Sequence, residues 1–150
     1  MKELELRLAT PEDIDLIFAW ANDEDERRFS FHPQKIEYAD HCKWYEKRMN
    51  DEDTVIFIAL FDGIEVGQCR LEFENDEALI SYFIDKKYRN KGLGKQLIKL
   101  ISEKTEKNFH KIKRLKAQVK LENLPSQKVF LTMGFKESTL PEYKEYILQI

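Results

Sequence analysis

The residues with the most to say chemically run Tyr82-Phe83-Ile84-Asp85-Lys86-Lys87-Tyr88-Arg89-Asn90-Lys91-Gly92-Leu93-Gly94-Lys95, where a strand pattern passes through a basic, glycine-containing turn into a helical one. The arrangement suits an anion. The first backbone N–H groups of a helix have no partner inside it, and glycine lets a ligand approach the main chain. The aligned peptide dipoles add about half a positive charge at that end. Arg89, Lys91 and Lys95 bring formal charge to the same place. The spacing is neither the GxxxxGK[ST] of a Walker loop nor the GxGxxG of a dinucleotide fold, so it points to a diphosphate cradle of another design. Carboxylates for proton transfer are present too. Glu72 and Glu74 alternate along a strand pattern and Glu77 opens the next, each either a base facing a cleft or a solvated strand residue.

The chain that must position these groups has 150 residues, with 25 Lys+Arg against 28 Asp+Glu for a formal charge of −3, and 42% apolar and 35% charged residues. That balance suits one α/β domain over residues 1–150 and excludes a collagen-like, low-complexity or disordered chain. No apolar run approaches the ~20 residues of a membrane span. The opening MKELELRLAT alternates charge with leucine, unlike a signal or transit peptide, so a cytoplasmic protein with no membrane partner is expected. Cys42 and Cys69 lie far apart with no zinc spacing around either; they read as reduced core or near-core thiols, and no metal is expected. Charge is unevenly spread: residues 86–116 hold 12 basic and 2 acidic side chains, residues 1–53 hold 8 and 15, for local balances of +10 and −7. A phosphate-bearing ligand favours the basic half. Nucleic acid is not expected there, because the cations ring a helix with an ordinary apolar stripe in a chain of net negative charge.

Periodicity supplies the elements. Residues 3–9 alternate as a strand with Leu4, Leu6 and Leu8 on one face. Thr10 caps a helix with Pro11 at its start, Asp13 in capping-box position and Ile14, Ile17, Phe18 and Ala21 at helical spacing; the acidic run Asn22 to Glu26 ends it. His41, Trp44, Tyr45, Arg48 and Met49 predict a second helix over about 38–49. TVIFIALF, IEVGQCRLEFE and ALISYFID, joined at Asp62-Gly63 and Asn75-Asp76, predict a three-stranded antiparallel meander. Leu93, Leu97 and Ile101, with Ile98 and Leu100, stripe a long helix. A strand near 112–119, a short helix over about 124–132 closed by Gly134, and strands in FKEST and YKEYILQI complete the order.

Arg89-Asn90-Lys91-Gly92-Leu93-Gly94 resembles the RxxGxG motif of the GNAT superfamily of acyl-CoA-dependent N-acyltransferases. The stretch from Asn123-Leu124-Pro125-Ser126 through Phe130 to Gly134-Phe135 resembles its second signature, NxxSxxxYxxxGF. The order of elements is also that family's, so the resemblance covers nearly the whole chain. It implies an α/β (α+β) GNAT fold, a mixed and mostly antiparallel sheet of about seven strands flanked by about four helices. It also implies acetyl-CoA as cosubstrate and direct attack by a primary amine in a ternary complex.

By the same resemblance the backbone amides of Arg89, Asn90, Lys91, Gly92, Leu93, Gly94 and Lys95 hold the CoA diphosphate, with the three basic side chains at its edge. Phe83 and Ile84 pair with the pantetheine arm, one amide there polarising the thioester carbonyl. Asn123 and Ser126 contact the far part of the arm or order the turn, with Phe130 beside them. Phe130 departs from the pattern: many members carry a tyrosine there that protonates the departing thiolate, which a phenyl ring cannot do. Water, Tyr82, Tyr88 or Tyr143 is left to substitute. Gln118 stands where some relatives have a glutamate base, which leaves Glu72, Glu74 and Glu77 as candidates.

The family builds its acceptor pocket from the N-terminal half, so Arg27, Arg28, Ser30, Phe31, His41 and Trp44 are the expected substrate contacts. NDxxxRxxSF, HxxWYEKRM and VGQCRLE resemble the branch that acetylates amino sugars on nucleotides, such as the precursor of pseudaminic acid. A neighbouring branch acetylates the N-termini of ribosomal proteins. An arginine pair suits a nucleotide diphosphate, and Phe31, Trp44 or Tyr45 suits stacking on a base or sugar. Taken from spacing alone, Trp44 and Tyr45 are core and Arg27 and Arg28 neutralise the acids before them. The expected partner is a small-molecule amine, a nucleotide amino sugar, handled by a monomer or homodimer. A catalytically weak CoA-binding module is the remaining alternative.

Overall fold

The computed structural model describes residues 3–150, and one sheet of seven strands organises them. Strand β1 (Leu4–Leu8) leads through a 3-10 turn at Pro11–Asp13 into helices α1 (Ile14–Ala21), α2 (Glu24–Phe29) and α3 (Tyr38–Met49). Strands β2 (Thr54–Phe61), β3 (Ile64–Glu74) and β4 (Glu77–Ile84) follow, then α4 (Leu93–Asn108), β5 (Arg114–Lys120), α5 (Leu124–Thr132), β6 (Lys136–Thr139) and β7 (Tyr143–Gln149). The spatial order is β1-β2-β3-β4-β5-β7-β6, and β4 with β5 is the parallel pair in an otherwise antiparallel ladder.

The meander forms where the turn residues allow it. Asp62, Gly63 and Asn75 all take positive φ (55°, 77° and 57°), the left-handed conformation that tight hairpins ask of Asp, Gly and Asn. Strand β2 is apolar along its length because both its faces are covered. Phe57 and Ala59 join the core under α4 and α5, while Ile56 and Ile58 join Ile17, Trp20 and Tyr45 under α1 and α3. Helix α4 buries Leu93, Leu97, Ile98 and Ile101 against the sheet and α5, the stripe its period announced. Cys69 is fully buried and Cys42 half-buried, and both are free thiols.

Helix α2 departs from the expectation. The acidic run expected to end α1 opens a new helix, so five helices flank the sheet where about four were expected. Asp23 is its N-cap, the carboxylate accepting the Glu26 N–H at 3.1 Å. Glu24, Asp25 and Glu26 sit at its positive end and Arg27 and Arg28 at its negative end. No residue of α2 is fully buried, so no apolar period betrays it.

The start of α1 is fastened to β1 by charge. Arg7 places Nη1 and Nη2 on the two carboxylate oxygens of Asp13 at 2.7 and 2.8 Å, and the Thr10 N–H donates to the same group at 2.8 Å. The Arg7 bond, aided by Thr10, holds the Asp13 carboxyl below its usual range against the opposing effect of burial. A depressed carboxylate contributes stability that is present above its unfolded-state pKa and is lost as pH falls through the folded value. Asp13→Asn is therefore expected to cost about 1–2 kcal/mol at pH 7 in urea unfolding. The gap to the parent chain should close as pH drops below about 4; a gap independent of pH would show that charge contributes nothing to this clamp.

Candidate active site

Strands β4 and β5 stay paired over three positions, Glu77 with Arg114, Ala78 with Leu115 and Leu79 with Lys116. Beyond them β4 runs on to Ile84 bonded to β3, β5 runs on to Lys120 bonded to β7, and the two part. Tyr82 of β4 and Phe130 of α5 meet edge to face at the opening, with ring centroids 5.7 Å apart. Strand alternation decides which main-chain groups face it. The Asp85 N–H reaches the Val66 carbonyl on β3, so Phe83, two residues back, also turns its polar backbone toward β3. Tyr82 and Ile84 turn theirs toward the gap. Arg89 Nε takes the Ile84 carbonyl at 2.9 Å. Of the expected pair, Ile84 thus offers backbone to the opening and Phe83 offers its ring, which packs 5.7 Å from that of Trp20.

On one side of the gap lies a cavity of about 840 Å³ between the turn into α4 and the start of α5. Asn90 and Gly92 both take positive φ (62° and 76°), reversing the chain just before α4, and no side chain caps that helix. Its first N–H groups are left for a ligand. A Cβ added at Gly92 would meet nothing within 4 Å, so the space before it is open, whereas one at Gly94 would already touch the Tyr82 ring at 3.5 Å and Val129 Cγ2 at 3.6 Å, in the wall of this cavity. Lys95 lines this cavity, whereas the Lys91 amine sits over the Tyr88 ring, 5.6 Å from its centroid. Arg89, expected at the edge of the diphosphate, is committed to α2: Nη1 holds Asp25 at 2.8 Å and Nη2 holds Asp23 at 3.1 Å. Burial works to raise the Asp23 pKa, but the bonds from Arg89 and the Glu26 N–H outweigh it and hold the group below its usual range.

On the other side a cavity of about 510 Å³ lies between α1, α2, α3 and the face of the sheet that carries Gln68, Arg70, Ser81 and Gln118. Glu26, Phe29, Tyr82, Phe83, Asn123 and Ser126 line both cavities, so the two communicate through the gap. The first offers main-chain donors of the kind that suit an anion, and it opens into the second. A family model for the acetyltransferase (GNAT) domain matches residues 3–136. The chain belongs to the GNAT acetyltransferase family. It is an acyltransferase. The uncharacterized N-acetyltransferase YfmK of Bacillus subtilis is 24% identical over 139 residues, covering 92% of this chain and 89% of that one. The uncharacterized protein MJ1062 of Methanocaldococcus jannaschii is 26% identical over 150 residues, and the match spans 97% of this chain but 30% of that protein. Among solved structures, spermidine N-acetyltransferase from Vibrio cholerae in complex with CoA and spermine superimposes with a TM-score of 0.88 at 16% identity, covering 98% and 95% of the two chains.

In this acetyltransferase the tyrosine question has a geometric answer. Tyr88 lines only the first cavity, and Tyr143 lines neither, packing its ring edge-on to Phe31 at 5.7 Å. Tyr82 stands at the seam, its oxygen accepting a bond from Ser126 Oγ at 3.1 Å, and burial pushes its pKa up so that the phenol keeps its proton. Phe130 is core, stacked on Tyr146 at 5.5 Å and edge-on to Phe135 at 5.0 Å. Asn123 orders the turn, its side-chain oxygen accepting the Ser126 N–H at 3.3 Å.

The acceptor residues divide. Arg27 lines the second cavity but is tied to backbone, Nε on the Ala21 carbonyl at 2.6 Å and Nη1 on those of His32 and Gln34 at 2.8 and 3.3 Å. Arg28 pairs with Asp25 at 3.0 Å and lines the first cavity, so the two arginines do not converge on one diphosphate. Ser30, Phe31, His41 and Trp44 do line the second cavity. His41 is buried, with Nε2 2.9 Å from the Ile14 carbonyl, and burial lowers its pKa, which fits a neutral structural donor. Tyr45 is core, as its spacing allowed.

Glu72 accepts Arg70 Nε at 2.7 Å and, with Glu74 and Glu77, lines a separate cavity of about 280 Å³, so none of these glutamates reaches the seam. Arg70, Lys120 and Glu26 are the charged lining residues that the sequence reading missed. Alternation on β3 puts Arg70 opposite Cys69 and Leu71, but it does not say which cleft that face meets. Among the described residues no acid, His or Cys cluster could hold a metal, and no helix is long and apolar enough to cross a membrane.

Because Gly94 tolerates a Cβ at ordinary contact distances, Gly94→Ala should fold with a melting temperature close to the parent's while its methyl group adds bulk to the wall of the first cavity. Calorimetry should show CoA binding weakened about tenfold or more, some 1.4 kcal/mol. Unchanged affinity in the folded variant would remove this turn from the binding site.

Proposed function

We propose that this acetyltransferase transfers the acetyl group of acetyl-CoA to the primary amine of a nucleotide-linked amino sugar. Acetyl-CoA-dependent N-acetylation is the reaction of its family, and acetyl-CoA is the cosubstrate. The observation that carries the acceptor is the charged lining of the second cavity: Lys120, Arg70, which is paired with Glu72 behind it, and the backbone-held Arg27 stand against one lining carboxylate, Glu26. A polycation such as the spermine bound by the Vibrio cholerae enzyme would meet these cations, whereas an amine on a diphosphate is drawn to them. Phe31 and Trp44 in the same wall suit a base or sugar face.

The amides at the start of α4 hold the CoA diphosphate, with Lys95 beside them, and the gap-facing backbone of Tyr82 and Ile84 takes the extended arm as an added strand. An N–H on that edge polarises the thioester carbonyl as charge develops on its oxygen. Phe29 and Phe83 narrow the seam and exclude water. The Tyr82 phenol, kept protonated by burial and backed by Ser126, donates to the departing sulfur.

A mass-spectrometric screen of acetyl transfer to a UDP-linked 4-amino sugar, spermidine and an N-terminal peptide is expected to favour the sugar about tenfold or more in kcat/KM. Preference for the peptide or spermidine would overturn the acceptor assignment. Binding of acetyl-CoA without turnover of any amine would leave a CoA-binding module. Tyr82→Phe is expected to lower kcat about a hundredfold with the KM for acetyl-CoA unchanged, and a parent-like kcat would remove the phenol from the mechanism.

A further inference from the structure

We propose that Glu26 is the carboxylate that receives the acceptor's ammonium group and takes its proton before attack, a role that rests on the acetyl-transfer reading above. Four acids crowd residues 23–26, and their fates differ. Asp23 and Asp25 are held by Arg89, and Glu24 is exposed. Glu26 alone among them lines both cavities, at the seam where nitrogen and thioester must meet. Among the described residues no hydrogen bond or ion pair reaches its carboxylate, while the Asp23 cap on its N–H fixes the backbone beneath it. The other candidates are engaged elsewhere: Glu72 and Glu74 line a different cavity, and His41 is bound to the Ile14 carbonyl.

The charged and titratable groups facing Glu26 are Asp23 and Arg27 on its own helix, Arg70 from β3, Tyr82 from β4 and Arg89 from the turn after β4. Burial raises the Glu26 pKa and Asp23 adds to the effect. The three arginines oppose it, and the net displacement is upward. A carboxylate so placed is a better proton acceptor near neutral pH than a solvated one. Glu26 and Tyr82 line the same seam from different elements, so base and acid converge on one reacting centre.

The step balances as follows. Glu26 takes one proton from the ammonium group and becomes a carboxylic acid. The freed nitrogen lone pair forms the C–N bond at the thioester carbon, and the C–S bond breaks with its electron pair leaving on sulfur. Tyr82 protonates that sulfur. The second proton, shed by nitrogen as it becomes an amide, restores the Tyr82 hydroxyl, and Glu26 releases its own to solvent.

The test compares the parent chain with Glu26→Gln and Glu26→Asp, using acetyl-CoA and the amine that turns over fastest in the screen. At pH 7 Glu26→Gln should lower kcat about a hundredfold or more, with an unchanged melting temperature and acetyl-CoA affinity within about twofold of the parent. Its rate should climb tenfold per pH unit toward the pKa of the amine, because only spontaneously neutral amine reacts. The parent and Glu26→Asp should instead level off once the carboxyl has ionised. Parent-like rate and pH profile in Glu26→Gln would overturn this inference alone. A parent chain that binds no acetyl-CoA or acetylates no amine would overturn the acetyl-transfer reading and this inference with it.

Discussion

The site depends on two parallel strands that stop pairing after three residues. An unpartnered main-chain N–H or C=O in a protein interior costs about 1–3 kcal/mol, so a sheet does not open without something to hold it open. Here each strand is secured on its far side, β4 by eight registered pairs with β3 and β5 by seven with β7. Tyr82, Phe130, Phe135 and Tyr146 form a continuous aromatic contact at the opening. The edge of β4 facing the gap is thereby available to an extended ligand, and main-chain pairing fixes the reach of that ligand along the strand.

A second constraint ties the acidic N-terminal half to the basic turn. Arg89 belongs to the glycine motif by position, yet its guanidinium binds Asp23 and Asp25 of α2 and its Nε binds the end of β4. Ion pairs with this much exposure contribute about 1 kcal/mol or less each, so α2 is positioned by a modest network and buries no residue fully. Position is what matters, because α2 carries Glu26 and Phe29 to the seam. A motif arginine thus holds α2 over the seam, while the backbone around Gly92 and Lys95 lines the first cavity.

Periodicity made most of the fold legible. Helix α3 spans the residues its three- and four-residue steps predict, and each hairpin turn falls where Asp, Asn and Gly can take positive φ. Strand β5 starts two residues later than expected because Ile112 is still in the turn, its N–H bound to the Phe109 carbonyl. Helix α2 was hidden since Glu24 to Phe29 buries no apolar stripe; its trace was a charge gradient, acids first and arginines last, behind an Asp cap. The turn into α4 was readable because a backbone reversal there calls for residues that take positive φ at fixed positions, Asn90 and Gly92. The lining of the second cavity was not, for Arg70 and Glu72 share a face two residues apart yet line different cavities. Alternation assigns a face, and only the parting of β4 from β5 assigns a cleft.

The same geometry bears on the phenylalanine that stands where the signature NxxSxxxYxxxGF has tyrosine. Position 130 on α5 and position 82 on β4 are in edge-to-face contact, so a hydroxyl moved from helix to strand stays at the same seam. The move changes its support. On α5 the ring stacks in the core on Tyr146, whereas on β4 the phenol oxygen is met by Ser126, itself set by the Asn123 cap. The second signature motif then keeps a purpose without its tyrosine: Asn123 orders the first turn of α5, the turn presents Ser126, and Ser126 orients a phenol that arrives from the neighbouring strand.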